Sequence, residues 1–263
     1  MPLPPIRLAA CVGIKSSPHL LTHFLEHYRR VGIDEFLLVL HAERGDPRAD
    51  AARQRLAAAG VQPVREVEQY SATLKLTYLT ELVGRHCEPQ SWVVYADLDE
   101  FQLYPDGLRS HLGWCERRGH RFVRGRLVDR LTTDGTLAEI QTHPSLSEQF
   151  PRSTSVTRAV LGGWDRKVCA AKATVPLGDG GAHTVRYGHA RRWDYWLTHY
   201  APRWGDRRIA IHHFKWDATL PQRVREKVEG CGGDLDRWHG GRFMHEYRRL
   251  DEQLRRDGRI RVG

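Results

Sequence analysis

Apolar positions along the first hundred residues alternate between two rhythms. Ile6–Ile14 is a short, mostly apolar run of the kind that forms a buried strand. Ser16, Ser17 and Pro18 follow as a helix start, a capping hydroxyl with proline in the first turn. Leu20, Leu21, Phe24, Leu25, Tyr28 and Val31 then recur at helical spacing until Gly32. Glu35–Leu40 predicts a second strand, Asp50–Ala59 an Ala- and Arg-rich helix, and Val61–Val67 a third strand that Pro63 assigns to an edge. Leu74–His86 carries Leu76, Leu79, Leu82 and Val83 on one face, so it is expected to be helical. Trp92–Ala96 is uncharged, β-branched and aromatic, as a buried central strand would be. The order β-α-β-α-β-α-β implies a parallel sheet covered by helices, with ligands beyond the carboxyl ends of its strands.

The pattern changes near residue 105. Gly107–Arg118 reads as a helix. Arg121–Leu131 and Leu137–Ile140 flank Asp134-Gly135, a strong hairpin signal. Ser155–Leu161 and Lys167–Val175 read as strands around a Gly162-Gly163 turn. Ile209–Trp216 reads as a last strand, Leu220–Val228 as a helix and Phe243–Arg256 as a charged terminal helix. The change marks a boundary between two halves of one domain spanning residues 1–263: 6–104 alternating, 105–263 strand-rich.

Composition narrows the class. The 263 residues carry a formal charge of +9, from 41 basic and 32 acidic side chains, which suits an anionic ligand without choosing one. Five widely spaced cysteines with no CxxC pair argue against a disulfide framework or a thiolate zinc site, and for a reducing compartment. The proline-rich Met1–Pro5 lacks a signal-peptide pattern, and no apolar run approaches the roughly 20 residues of a membrane span. A cytoplasmic location is the expectation.

The chemistry concentrates where the Trp92 strand ends in Asp97-Leu98-Asp99-Glu100-Phe101. In extended chain Asp97 and Asp99 face the same way, and their mutual repulsion is relieved by a divalent cation such as Mg²⁺ or Mn²⁺ shared with substrate phosphates. Glu100 is then expected on the opposite face.

Two stretches resemble GT-A glycosyltransferases, most closely the family 2-like and family 92-like members. Phe24-Leu25-Glu26-His27-Tyr28-Arg29-Arg30-Val31-Gly32-Ile33-Asp34-Glu35-Phe36 is similar to their "FLEHYRxLGxDxF" segment, and Trp92–Phe101 to their "WVxxxDxDEF". Arg124–Arg130, Lys167-Val168, Gly181–His183 and His213–Trp216 look similar too, extending the likeness over roughly residues 6–228. The resemblance implies a Rossmann-like nucleotide-binding half with a mostly parallel sheet and a mixed acceptor half. It implies transfer of a sugar from a nucleotide-sugar to a hydroxyl of a glycan, polysaccharide or lipid-linked acceptor, with the metal on the diphosphate. Asp99 is the candidate for direct coordination, with Asp97 on the metal or reaching the ribose. A late histidine completes the shell in many GT-A enzymes: His213 fits best, His183 second. Lys15 and Lys167, beside strand ends, are the candidates for the diphosphate.

An inverting transfer needs a carboxylate base, and Asp129 is assigned that role, kept ionised by Arg130; Asp165 and Glu148 are the alternatives. The chain departs from the family in two loops on the nucleotide side. Lys15-Ser16-Ser17 stands where Lys-Asn-Glu is usual, and His41–Asp46 replaces an Asp/Asn-rich turn.

Two other readings remain. A non-catalytic binder of nucleic acid or anionic glycan draws on the charge and eight Trp, but the arginines are scattered and form no stripe. A nucleotidyltransferase would need a phosphate-cradling Gly-rich loop, which Gly13-Ile14-Lys15 is not. No nucleic-acid partner is expected. The aromatic segment Trp193, Tyr195, Trp196, Tyr200 and Trp204 is expected to pack between the halves. Arg248, Arg249, Arg255 and Arg256 of the terminal helix could give a peripheral contact to an anionic membrane, but its acids dilute the effect and a solvated face is the expectation.

Overall fold

A computed structural model describes residues 3–13, 17–187, 191–200, 209–230 and 242–261. The alternating half forms as expected. Strands β1 (Arg7–Gly13), β2 (Glu35–His41), β3 (Arg65–Val67) and β4 (Trp92–Tyr95) stand in the order β3-β2-β1-β4, all parallel, with β3 at the edge. Helices α1 (Pro18–Val31), α2 (Pro47–Ala58) and α3 (Ala72–His86) make the connections. Alternate strand residues feed two cores. Leu8, Ala10, Leu38, Leu40, Trp92 and Val94 pack with α1 and α2. Ala9, Leu37, Val39, Val93 and Tyr95 pack with Tyr78, Leu79, Leu82 and Val83 of α3. Residues buried on both faces are what a parallel sheet under two helical layers requires.

The sheet then becomes mixed. Strand β5 (Glu100–Leu103) and helix α4 (Leu108–Arg117) lead to the long β6 (Phe122–Leu131). Strand β7 (Arg152–Thr154) pairs with β6, β8 (Arg166–Lys172) joins β4 to β6, and β9 (Ile209–His213) lies between β6 and β5. The path β3-β2-β1-β4-β8-β6-β9-β5 puts three strands between β4 and β5, yet Tyr95 and Glu100 are five residues apart. Flat, those strands would lie about 19 Å apart, beyond the roughly 18 Å that five residues span. The sheet therefore curls, and Gln102 Nε2 donates to Tyr95 O at 2.7 Å across the gap. This α/β layout, a parallel Rossmann-like half continued by a mixed half, is the one the GT-A resemblance implies.

Two segments of the strand-rich half differ from expectation. Asp134-Gly135 does turn, with Gly135 at φ 80°, but the exit segment does not return along β6. Thr136 bridges Arg259 instead, so a distant residue takes the partner's place. Ser155–Leu161 is not a strand; Val156–Ala159 is a helical turn after β7. The terminal helix Arg242–Asp257 packs Tyr247 and Leu250 with Trp216, Leu220 and Val224. Among the described residues no helix is long and apolar enough to cross a membrane.

Candidate metal centre

The site is built at the end of β4 by a turn. Glu100 N donates to Asp97 O at 2.9 Å, so Asp97-Leu98-Asp99 is not extended. The turn separates the two aspartates that alternation would have set side by side. It also corrects the expectation for Glu100, which comes round to the same side as Asp99.

β5, β9 and β6 then set three side chains in one row. His213 is the register partner of Glu100 on the antiparallel side and of Asp129 on the parallel side. Directly paired residues project to the same face. Asp99, one residue before Glu100, is tied to the row by Phe214 N donating to Asp99 O at 2.8 Å. One ligand atom each from Asp99, Glu100 and His213 lies within 4.8 Å of the others.

The two resembling motifs meet here. Tyr28 of α1 donates its hydroxyl to Glu100 O at 2.8 Å and accepts from Gln102 N at 3.3 Å. His27 Nε2 pairs with Gln102 O at 3.0 Å, and Phe24 sets its ring edge-on to Phe101, with centroids 6.3 Å apart. The Phe24–Tyr28 segment is thus the clamp that holds the start of β5.

His213 is fixed by Asp129. Its Nδ1 lies 2.8 Å from Asp129 Oδ1, leaving Nε2 3.7 Å from Asp99 Oδ2. Burial disfavours the imidazolium, but the Asp129 bond and the Asp99 charge outweigh it and raise its pKa. Asp129 is 1% exposed and also accepts from Thr157 N (2.7 Å), Thr157 Oγ1 (2.8 Å) and Trp216 Nε1 (3.0 Å). Burial pushes its carboxyl up, and the His213 and Thr157 bonds bring it below the usual range. The expected pairing with Arg130 does not form. That guanidinium bonds Phe150 O, Pro151 O and Ser153 Oγ. Asp129, expected as an acceptor base, thus stands behind His213 with both oxygens occupied. Asp165 pairs with Arg126 at 2.7 Å, and Glu148 closes a capping box with Ser145.

Asp97 lies apart from the row, between two buried lysines. It pairs with Lys75 of α3, and with Lys167 of β8 at 3.1 Å; Lys167 also reaches Glu100 Oε1 at 2.7 Å. Burial raises the Asp97 carboxyl, but Lys167 and Lys75 overcome it and hold it well below the usual range. Glu100 shifts the other way: burial, with Asp97 and Asp99 nearby, exceeds the help from Lys167. Lys75 was not legible as a site residue, because a lone lysine in a helix pattern reads as solvated. Lys15 lies outside the described residues. His183, the second metal candidate, pairs through Nδ1 with Arg166 O at 2.8 Å, outside the row.

Four histidines, one buried and three half-buried, carry a testable consequence. His27, His183, His199 and His212 are lowered from 6.5 to about 4, burial being the first cause in each. They are neutral when folded and take up protons on unfolding below pH 6.5, so stability is present above that value and falls as pH drops toward 4. His213, raised, works in the opposite sense and offsets part of this. At pH 5 each lowered histidine costs at most about 2 kcal/mol relative to neutral pH. Melting curves at pH 7.5 and 5 are expected to show a clear drop; equal midpoints would mean these rings titrate freely.

No family model matches the chain, and no curated protein matches it. Among solved structures, the chain is similar to S. aureus TarS 1–349 in complex with UDP-GlcNAc, at 8% identity, covering 97% of this chain and 75% of that one, with a TM-score of 0.41. A mycobacterial protein aligns at 15% identity over 86% of this chain and 74% of that one, TM-score 0.38. A 4-diphosphocytidyl-2C-methyl-D-erythritol synthase aligns at 13% identity over 64% and 76%, TM-score 0.32. Likenesses of this size carry none of the functional reading below.

Proposed function

We propose that this chain is a metal-dependent glycosyltransferase that moves a sugar from a nucleotide-sugar to an acceptor hydroxyl. The observation that supports it is the Asp99–Glu100–His213 row at the carboxyl end of the parallel half, where ligands bind in such sheets. Two carboxylates and an imidazole with its other nitrogen held by a carboxylate form a donor set that fits Mn²⁺, or less well Mg²⁺. Charge favours the same reading. Four acids (Asp97, Asp99, Glu100, Asp129) face two lysines and His213, and the lysines are already paired. Unaided, the site has little positive charge to offer a diphosphate.

A bound divalent ion would supply charge stabilisation to the departing nucleoside diphosphate. Asp99 and Glu100 would offer oxygens and His213 its Nε2. Asp129 keeps the His213 ring turned so that Nε2 faces them. Asp97 fixes the buried Lys75 and Lys167 beside the centre, where Lys167 holds Glu100 in place. Asp129→Asn, which keeps the size but weakens the grip on Nδ1, is expected to reduce Mn²⁺ affinity about 10–100-fold. Calorimetric titration checks this; unchanged affinity would remove Asp129 from the metal shell's support.

The reading as a whole is tested by thermal-shift measurements with nucleoside diphosphates and nucleotide-sugars, with and without Mn²⁺. A ligand at 100 times its Kd adds about 2.7 kcal/mol of stability. The expected result is a shift with one nucleotide that requires the metal. Shifts only with oligonucleotides or anionic glycans would overturn it in favour of a binding protein.

A further inference from the structure

After the short helices α5 (Leu146–Gln149) and α6 (Val156–Ala159), helix α7 (Arg191–Tyr200) is fastened along one side. Asp194 is buried and accepts from Tyr187 N at 3.2 Å; Thr198 is buried and accepts from Val185 N at 3.1 Å; His199 Nε2 pairs with His183 O at 2.6 Å. Tyr195 stacks on Trp164 with centroids 4.6 Å apart. The other side carries Trp193, Trp196 and Tyr200, at 50%, 49% and 49% exposure. Their spacing, i, i+3 and i+7, puts all three in one stripe. Tyr195 therefore packs within the strand-rich half, not between the halves as expected, and these three stay half-exposed, while Trp204 lies outside the described residues. Among the described residues, the only other exposed large apolar side chains are Val64 and Tyr70.

The stripe lies in a basic stretch of the sequence. The Arg166 guanidinium lies 4.3 Å from the centre of the Tyr200 ring. In the sequence from 186 to 208 six arginines stand against two acids, Asp194 and Asp206, and Asp194 is buried. Tryptophan and tyrosine in an arginine-rich stretch match the headgroup region of an anionic bilayer, apolar on one side and negatively charged on the other. A second copy of the chain fits worse. Three half-exposed rings offer about 300 Å², against roughly 800 Å² per partner in a stable interface, and two copies of a basic stretch would meet. A glycan would need polar groups between the rings, and the nearby Asp194 and Thr198 are buried and already bonded.

We infer that α7 docks this protein on an anionic membrane surface through Trp193, Trp196 and Tyr200. The bonds from α7 to His183 and from His183 to Arg166 lead to Lys167 of the metal centre. The inference does not depend on the metal reading, since its test uses neither metal nor nucleotide.

The test is co-sedimentation of the full chain with phosphatidylcholine vesicles, and with vesicles containing about a third phosphatidylglycerol. Wild type is expected to bind the anionic vesicles, and the triple variant Trp193→Ser, Trp196→Ser, Tyr200→Ser to bind them at least roughly tenfold more weakly. Circular dichroism melting checks that the variant is folded. If it is not, quenching of wild-type tryptophan fluorescence by brominated lipid decides: quenching supports insertion, and its absence overturns it. Wild type that ignores anionic vesicles, or a folded variant that binds equally well, overturns the proposal. So does a concentration-dependent dimer, or binding of a soluble oligosaccharide, that the variant loses while vesicle binding is absent.

Discussion

Asp99→Ala is expected to eliminate metal-dependent nucleotide-sugar binding and to lower transfer activity by about 100-fold or more while leaving the protein folded. The separation of effects follows from its surroundings. The Asp99 side chain is 18% exposed and faces His213 Nε2 at 3.7 Å. Its backbone carbonyl, which accepts from Phe214 N, is untouched by the substitution. Stability should change by well under about 1 kcal/mol, as for a substitution that breaks no buried network. Titration with Mn²⁺, followed by electron paramagnetic resonance of the free ion, gives the affinity, and a melting curve gives the stability. Retained Mn²⁺ affinity would show that Asp99 is not a ligand. His213→Ala should also weaken Mn²⁺ binding, but at a cost in stability, because it removes one of the four donors to Asp129.

Asp97→Ala is expected to act on the fold. The substitution removes the carboxylate between Lys75 and Lys167, which are 8% and 3% exposed. Lys167 keeps Glu100; among the described residues no other carboxylate pairs with Lys75. A buried charge left without its counterion costs about 3–5 kcal/mol, which for a chain of this size lowers Tm by roughly 10 °C. Adding Lys75→Met should recover much of the loss, because it removes the orphaned charge rather than restoring a contact. A loss below about 1 kcal/mol in the single variant would mean that the Lys75 ammonium reaches water. The contrast between Asp97 and Asp99 is the sharpest available: two residues apart, one expected to govern stability and the other ligand binding.

The sequence was most readable where local and tertiary forces agree. In the alternating half, each apolar run is buried by a neighbour close in sequence, so the order of strands and helices followed from periodicity. It was least readable where a distant residue decides. Val156 and Thr157 are β-branched and suggest a strand, yet they lie in a helical turn that presents Thr157 N and Oγ1 to Asp129. The Asp134-Gly135 turn is present, but its exit pairs with a residue over a hundred positions away. Asp99 and His213 stood out as candidates from their motifs. Glu100 was assigned to the wrong face because alternation assumes extended chain, and the chain turns there. The role of Asp129 depended on strand register, which no local pattern encodes.

The row across β5, β9 and β6 sets the spacing of Glu100, His213 and Asp129 through main-chain hydrogen bonds, not through the side chains themselves. The frame is therefore indifferent to what it carries. Exchanging a carboxylate for an imidazole, or the reverse, would alter the preferred ion without shifting a strand. Capturing an ion would likewise demand little ordering of the chain, so the affinity of the centre should be set by its ligands and by the carboxylate of Asp129 that holds His213.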